Sequence, residues 1–146
     1  MNTILLILLL VSILISLFSY IKFAQLKQTK AILKRFDGKK IYGVTSSANF
    51  FGQESKGMGQ VRGNGVLVLL DGELYYEMLI PKKTLRIPFD SMVTVETPKS
   101  FLSKSKGRSL LKIVFKNEKD ENDSAAWLVS NLSHWKSSIE KIIESK

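Results

Sequence analysis

The sequence predicts an α+β chain that is mainly β: a transmembrane helix at the N-terminus, an antiparallel sheet of about seven strands, and an amphipathic C-terminal helix. Three observations predict it. Residues 4–21 read ILLILLLVSILISLFSYI, with no charge, proline or glycine. After Gly38 the apolar spacing changes from helical to alternating, the mark of strands. Near the C-terminus it changes back, and Leu132, Trp135, Ile139, Ile142 and Ile143 fall on one helical stripe.

The first stretch has the length of a membrane span. A helix of its size covers roughly 27 Å at about 1.5 Å per residue, close to the ~30 Å hydrocarbon core. Ser12, Ser16 and Ser19 interrupt the apolar run, but a serine hydroxyl in a helix bonds back to the carbonyl one turn earlier. The flank before residue 4 is uncharged, and no small-x-small cleavage pattern follows, so an uncleaved anchor is expected. Residues 22–40 carry Lys22, Lys27, Lys30, Lys34, Arg35, Lys39 and Lys40 against Asp37 alone, a local charge of +6 out of a total of +9. Lysine and arginine mark the cytoplasmic flank, which places the rest of the chain in the cytoplasm. The helix is expected to continue through residue 36 and to stop at Asp37-Gly38. The chain thus divides into an anchor over residues 1–21, a basic juxtamembrane stalk over 22–40 and a soluble domain over 41–146.

In the soluble part, residues 40–45 make a first strand, and the mixed segment 46–59 follows no clear period. The strongest signal is GNGVLVLLDGELYYEMLIP, where residues 66–70 and 73–80 flank Asp71-Gly72. Asp-Gly favours a type I′ hairpin, in which both positions need positive φ. Leu74, Tyr76, Met78 and Ile80 share one face of the second arm; Glu73, Tyr75, Glu77 and Leu79 share the other, which is expected to be partly wet. Leu85, Ile87 and Phe89 then alternate with Thr84, Arg86 and Pro88, and the proline argues for an edge or a strand end. Asp90-Ser91 makes a turn, and residues 92–96 put Val93 and Val95 on one face. A basic loop, residues 97–109, precedes the strand of Leu111, Ile113 and Phe115. An acidic turn, residues 117–123, precedes a short strand with Trp127. The last helix runs over about 132–145, capped by Asn131 or Ser130.

This order resembles a pleckstrin-homology-like domain over residues 40–146. The resemblance is carried by the glycine-led hairpin GNGVLVLLDGELYY, the strand pair LRIPFDSMVTVE, the late strand LLKIVF and a terminal helix with Trp135 near its start. It is similar to the GRAM and bacterial PH-like groups. The resemblance implies a strongly bent sheet with the C-terminal helix closing one end. It would put phosphoinositide contact at the first hairpin's loop, where this chain has no basic cluster.

Catalytic and metal patterns are missing from the sequence. There is no cysteine, hence no disulfide or thiolate ligand, and the single histidine, His134, has no second His or Cys with which to hold zinc. The stretch GMGQVRGNG, residues 57–65, lacks the G-K-[ST] ending of a phosphate loop and reads as a bulge or turn. Asp120, Glu121 and Asp123 lack the spacing of a calcium loop and read as a solvated turn. No enzyme, metal or cofactor is expected. The basic excess sits in the stalk and one loop rather than on an aromatic-studded strand face, which argues against nucleic acid.

What remains is an anionic-surface contact. Lys82, Lys83 and Arg86 follow the hairpin, and Lys99, Lys104, Lys106 and Arg108 fill the loop before LLKIVF. On neighbouring loops at one end of the sheet they would attract anionic lipid headgroups, with Phe101 and Leu102 dipping into the interface. The expected function is a single-pass, membrane-anchored binding or scaffold module, with the bilayer and either lipid headgroups or a membrane protein as partner. The alternative is a small accessory subunit of a larger membrane assembly with no ligand of its own.

Overall fold

The computed structural model describes residues 2–146. The chain forms two compact units, one ending at Asp37 and the other Gly38–Lys146. The first is a single helix, α1 (Thr3–Arg35), 33 residues long. It runs through the basic stretch without a break, as the absence of glycine and proline predicts. Its apolar window has a mean hydropathy of 2.9, and none of that window is buried. Ser12 and Ser16 donate their hydroxyls to the Leu9 and Ser12 carbonyls at 2.8 and 2.9 Å, so neither is an orphan.

The second unit contains seven strands: β1 (Ile41–Gln53), β2 (Gly63–Leu70), β3 (Glu73–Met78), β4 (Lys83–Pro88), β5 (Met92–Glu96), β6 (Leu111–Lys116) and β7 (Asn122–Leu128). All pairings are antiparallel, in the order β4-β3-β2-β1-β7-β6-β5. Short 3₁₀ turns, Glu54–Lys56 and Phe89–Ser91, follow β1 and β4. The final helix is α2 (Leu132–Glu144). The fold is α+β, mainly β.

β1 is the spine and is longer than its alternation suggests. Its first part pairs with β2, from Ile41↔Leu70 to Phe50↔Gly63, and its last part pairs with β7, from Asn49↔Leu128 to Gln53↔Ala125. Register shifts fall between Ile41 and Gly43, between Thr45 and Ala48, and between Phe50 and Gly52. Each bulge adds an unpaired residue, bends the strand and resets which side chains point inward. That resetting hides residues 46–53 from a period-two reading. It also sends neighbouring aromatics to different places: Phe50 enters the main core, while Phe51 joins a small second core with Phe101, Leu110 and Ala126.

The sheet is open, with β4 and β5 as edges, yet one core takes Ile87 from β4 and Met92 and Val95 from β5. Its centre is an aromatic trio. The Phe50 ring lies 5.2 Å from Tyr76 and 5.6 Å from Trp127, and Tyr76 meets Trp127 edge-on at 5.7 Å. Burial pushes the Tyr76 phenol pKa up, and its hydroxyl donates to the Gly63 carbonyl at 3.0 Å. α2 packs on this core as its stripe predicts: Trp135 and Ile139 are buried, with Leu132, Ile142 and Ile143 partly so. Pro88 ends an edge strand, as a residue without an N–H should.

Several local expectations are corrected. Only Gly72 of the Asp71-Gly72 turn takes positive φ, so the turn is not type I′; the Asp71 amide donates instead to the Lys40 carbonyl at 2.8 Å. β3 is buried on both faces, Tyr75 and Glu77 included, and Ile80 lies beyond it, exposed. A bulge between Met92 and Thr94 turns Val93 outward and puts Met92 and Val95 inside. Asn131 precedes α2 in a left-handed conformation without a side-chain cap; its carbonyl accepts the His134 and Trp135 amides.

Asp123 is not a solvated turn residue. It is 3% exposed and accepts hydrogen bonds from Gln53 Nε2, Ser55 Oγ and the Ser55 and Ser124 amides. Burial pushes its carboxyl pKa up, but these four donors outweigh burial and hold it below the usual aspartate value. Together with the Ser124–Glu54 hydrogen bond at 2.6 Å, they tie the end of β1 to β7.

Candidate functional site

The basic loop between β5 and β6 is a folded flap. Phe101 and Lys104 exchange backbone hydrogen bonds at 2.9 and 3.0 Å across a two-residue turn, with Leu102 and Ser103 both at positive φ (48° and 61°). A left-handed conformation costs a non-glycine residue about 1–2 kcal/mol. Burial of Phe101 in the second core offsets that cost, with Leu102 packed beside it. The expectation that Phe101 dips into a membrane is therefore corrected: its ring holds the loop to the sheet. Ser105 Oγ donates to the Lys99 carbonyl at 2.8 Å and accepts from the Gly107 amide at 3.1 Å, and the Leu110 amide donates to the Pro98 carbonyl at 2.7 Å.

Opposite this flap, the bulge in β1 creates a specific demand. Phe51 is the residue skipped between the pairs Phe50↔Trp127 and Gly52↔Ala126. Its carbonyl accepts a hydrogen bond from Arg62 Nε, while Arg62 Nη1 donates to the Met58 carbonyl at 3.2 Å. Two fixed bonds orient the guanidinium. Its third nitrogen, Nη2, is buried and makes no hydrogen bond. Asn49, Phe50, Phe51, Arg62, Lys104, Ser105 and Lys106 line one small pocket of roughly 170 Å³. Three cations and no carboxylate face it among the described residues, and none of the three is in an ion pair.

The seven residues predicted from sequence do not form one cluster of free charges. Lys104 and Lys106 line this pocket, while Lys99 and Arg108 are exposed elsewhere on the loop. Lys82 lies 3.9 Å from the buried Glu77 carboxylate, which also accepts the Tyr75 hydroxyl. Arg86 pairs with Glu73 at 3.2 Å and stacks over Tyr75 at 5.1 Å. Lys83 sits 5.2 Å over the Phe50 ring, where desolvation and then the charge of Lys56 pull its pKa below the usual lysine value. Lys82, Lys83 and Arg86 thus belong to the β4 edge, and the other four belong to the loop leaving β5, the opposite edge. Sequence reasoning missed Arg62. The available signal was an arginine between glycines immediately before a strand.

A second, wider groove of roughly 900 Å³ runs between β4 and the β6–β7 hairpin, past Lys56, Leu85, Arg86, Phe115, Lys116 and Glu121. Its charges are mixed, so it selects no ligand by sign.

No family model matches the chain, and no curated protein matches its sequence. Among solved structures, the chain is similar to the C-terminal domain of an unknown protein from Leishmania infantum. The TM-score is 0.50 at 10% identity, covering 75% of this chain and 90% of that one. At such low identity the likeness shows the fold alone.

Proposed function

We propose that this chain is a single-pass membrane protein whose second unit, PH-like and nearest the GRAM and bacterial PH-like groups, is a non-enzymatic binding module on the cytoplasmic face. The observation that carries the reading is the succession within one chain. An uncharged, predominantly apolar helical segment is followed at once by a stretch with seven basic residues and then by a sheet unit whose loops carry further unpaired cations. Basic residues beside a span favour the cytoplasmic side. Each near an anionic surface contributes about 1 kcal/mol of attraction. The tether keeps the second unit within reach of headgroups, so weak contacts are raised by effective concentration.

The test is extraction and topology. After an alkaline carbonate wash of expressing cells, the chain is expected in the membrane pellet with its N-terminal segment intact. Protease added to sealed, right-side-out cells is expected to leave the second unit uncut. Recovery in the soluble fraction, an N-terminus beyond residue 21, or digestion from outside would overturn the reading.

A further inference from the structure

We propose that the outer edge of β4 docks an extended segment of a partner protein, which adds to the sheet as a further strand and sets a carboxylate against Lys83 and Lys56. The inference deepens the binding-module reading by naming a class of partner, and its geometry is independent of the anchor. β4 ends the strand order, so its one strand neighbour is β3. The register tells which of its backbone groups point away from that neighbour. The Phe89 amide donates to the Gly72 carbonyl at 2.9 Å, one rung beyond Glu73↔Pro88. Hydrogen-bonded pairs alternate along an antiparallel ladder. Ile87, Leu85 and Lys83 therefore turn their backbone groups to β3, and Pro88, Arg86 and Thr84 turn theirs outward. Pro88 agrees with this parity, because its carbonyl accepts Ser91 Oγ at 2.8 Å, off the ladder. A proline sits at an outward position without breaking a bond to β3. Thr84, which is exposed, presents both an N–H and a C=O on this side.

The roughly 900 Å³ groove runs along this edge, and Leu85 and Phe115, which pack on the main core, give it apolar lining. Its charges balance as a whole, which leaves recognition to backbone bonds and to local side-chain contacts. Directly opposed residues of paired strands share a face. A segment that continues the antiparallel order thus sets an apolar residue opposite Leu85 and, two positions later, a residue opposite Lys83. Lys83 points inward over the Phe50 ring and feels the charge of Lys56. Neither lysine is in an ion pair among the described residues. A carboxylate at that place offsets their repulsion, so the segment reads apolar-x-acidic. The other edge is closed to such a strand. A bulge between Met92 and Thr94 interrupts β5, and the Lys146 ammonium donates to the Asp90 and Met92 carbonyls. On β4, Lys83 and Pro88 discourage unselective sheet-to-sheet pairing and leave the edge to a short segment of matching charge.

The test uses the full chain in nonionic detergent micelles and the peptide Thr-Val-Thr-Val-Thr-Glu-Thr, blocked at both ends and labelled for fluorescence anisotropy. In the antiparallel register its second valine meets Leu85, its third threonine meets Thr84 and its glutamate meets Lys83. Two N-methylated forms separate strand pairing from composition. Methylation of the third threonine removes the N–H aimed at Thr84, and methylation of the glutamate removes an N–H aimed away from β4. A fourth form replaces the glutamate with glutamine.

Binding is expected, weakened at least tenfold by methylation of the third threonine and less than threefold by methylation of the glutamate. Thr84→Pro removes the outward N–H and no bond to β3, and is expected to weaken binding at least tenfold while the melt followed by tryptophan fluorescence stays cooperative. If that variant fails to fold, the methylated peptides decide. The Lys56→Ser/Lys83→Ser double variant is expected to bind the glutamate peptide at least fivefold more weakly than the parent does and the glutamine peptide within twofold of it. The proposal is overturned if the peptide shows no binding up to about 1 mM, if the two methylated forms bind alike, or if the lysine variant treats the glutamate and glutamine peptides alike. Failure of the carbonate and protease tests would remove the anchor and leave this edge standing; failure here would leave the anchor standing.

Discussion

Gly65→Ala, the addition of one methyl group, should strongly destabilise the second unit. Gly65 lies in β2 opposite Met78 of β3 and Ala48 of β1. A Cβ built there would lie 2.3 Å from the Glu77 carbonyl oxygen, 2.8 Å from the Met78 Cα and 2.8 Å from the Tyr76 ring. Two of those three atoms are backbone, so no rotamer change relieves the contact. Reaching an ordinary separation needs β2 and β3 to part by about 1 Å at a rung normally about 4.8 Å wide. The Tyr76 ring must also move, and it is one-third of the aromatic trio at the core. Overpacking costs about 1–3 kcal/mol, and each weakened ladder hydrogen bond about 1 kcal/mol more. A total of about 3–4 kcal/mol is a large share of an ordinary 5–15 kcal/mol. At about 4–8 °C per kcal/mol for a small domain, the melting temperature should fall by at least ~10 °C.

The assay is intrinsic fluorescence, which reads this unit alone because both tryptophans, Trp127 and Trp135, lie in it. Gly59→Ala is the control. A Cβ at Gly59 meets nothing within 4 Å. Its melt should stay close to the parent's, within about 1 kcal/mol. If Gly65→Ala melts within ~2 °C of Gly59→Ala, the tight β2–β3 approach is wrong and so is the register built on it.

Trp135→Ala should cost about 3–5 kcal/mol, since the ring is 4% exposed and lies against Gly43 of β1; an unchanged melt would mean that α2 does not dock on the sheet. Asp123→Asn should melt lower than the parent at pH 7, with the gap closing at acid pH. The Asp123 pKa is depressed in the folded state, so its stabilisation is fully present above the unfolded value near 3.9 and fades as pH falls through the folded one. A gap that persists unchanged well below pH 3 would remove the carboxylate's role.

The readable parts of the sequence were those where one local rule acted alone. The apolar run of α1, the stripe of α2 and the regular alternation in β6 each show a single period, and each formed as expected. Misread residues sit where a longer-range contact outweighs the local pattern. Val93 turns outward because a bulge shifts β5 against β6. Asp123 reads as one more charge in an acidic run, and only folding brings it to Gln53 and Ser55, about seventy positions away. Phe101 and Leu102 read as exposed apolar residues among lysines, because their partners, Phe51 and Ala126, come from β1 and β7. Arg62 shows in the sequence only as an arginine between glycines before a strand, and what holds it, the carbonyl freed by the β1 bulge, appears only in the fold.

The pocket forms where β1 changes partners, and the reason is geometric. Phe50 pairs with both Gly63 of β2 and Trp127 of β7, and the next residue drops out of the ladder. A strand that bulges at its hand-over point exposes a backbone carbonyl and turns a side chain out of register. The carbonyl recruits Arg62, and the displaced Phe51 ring becomes the seat on which Phe101 fixes the basic flap. Gly52 holds the two walls together. Its φ of 132° disfavours any side chain, and a Cβ there would meet Gln60 Nε2 at 2.9 Å and Leu102 Cδ1 at 3.0 Å. Gln60 belongs to the segment that delivers Arg62, and Leu102 to the turn that delivers Lys104. One residue without a side chain thus lets both cationic loops close over the same bulge, and a bulky residue at that position would part them.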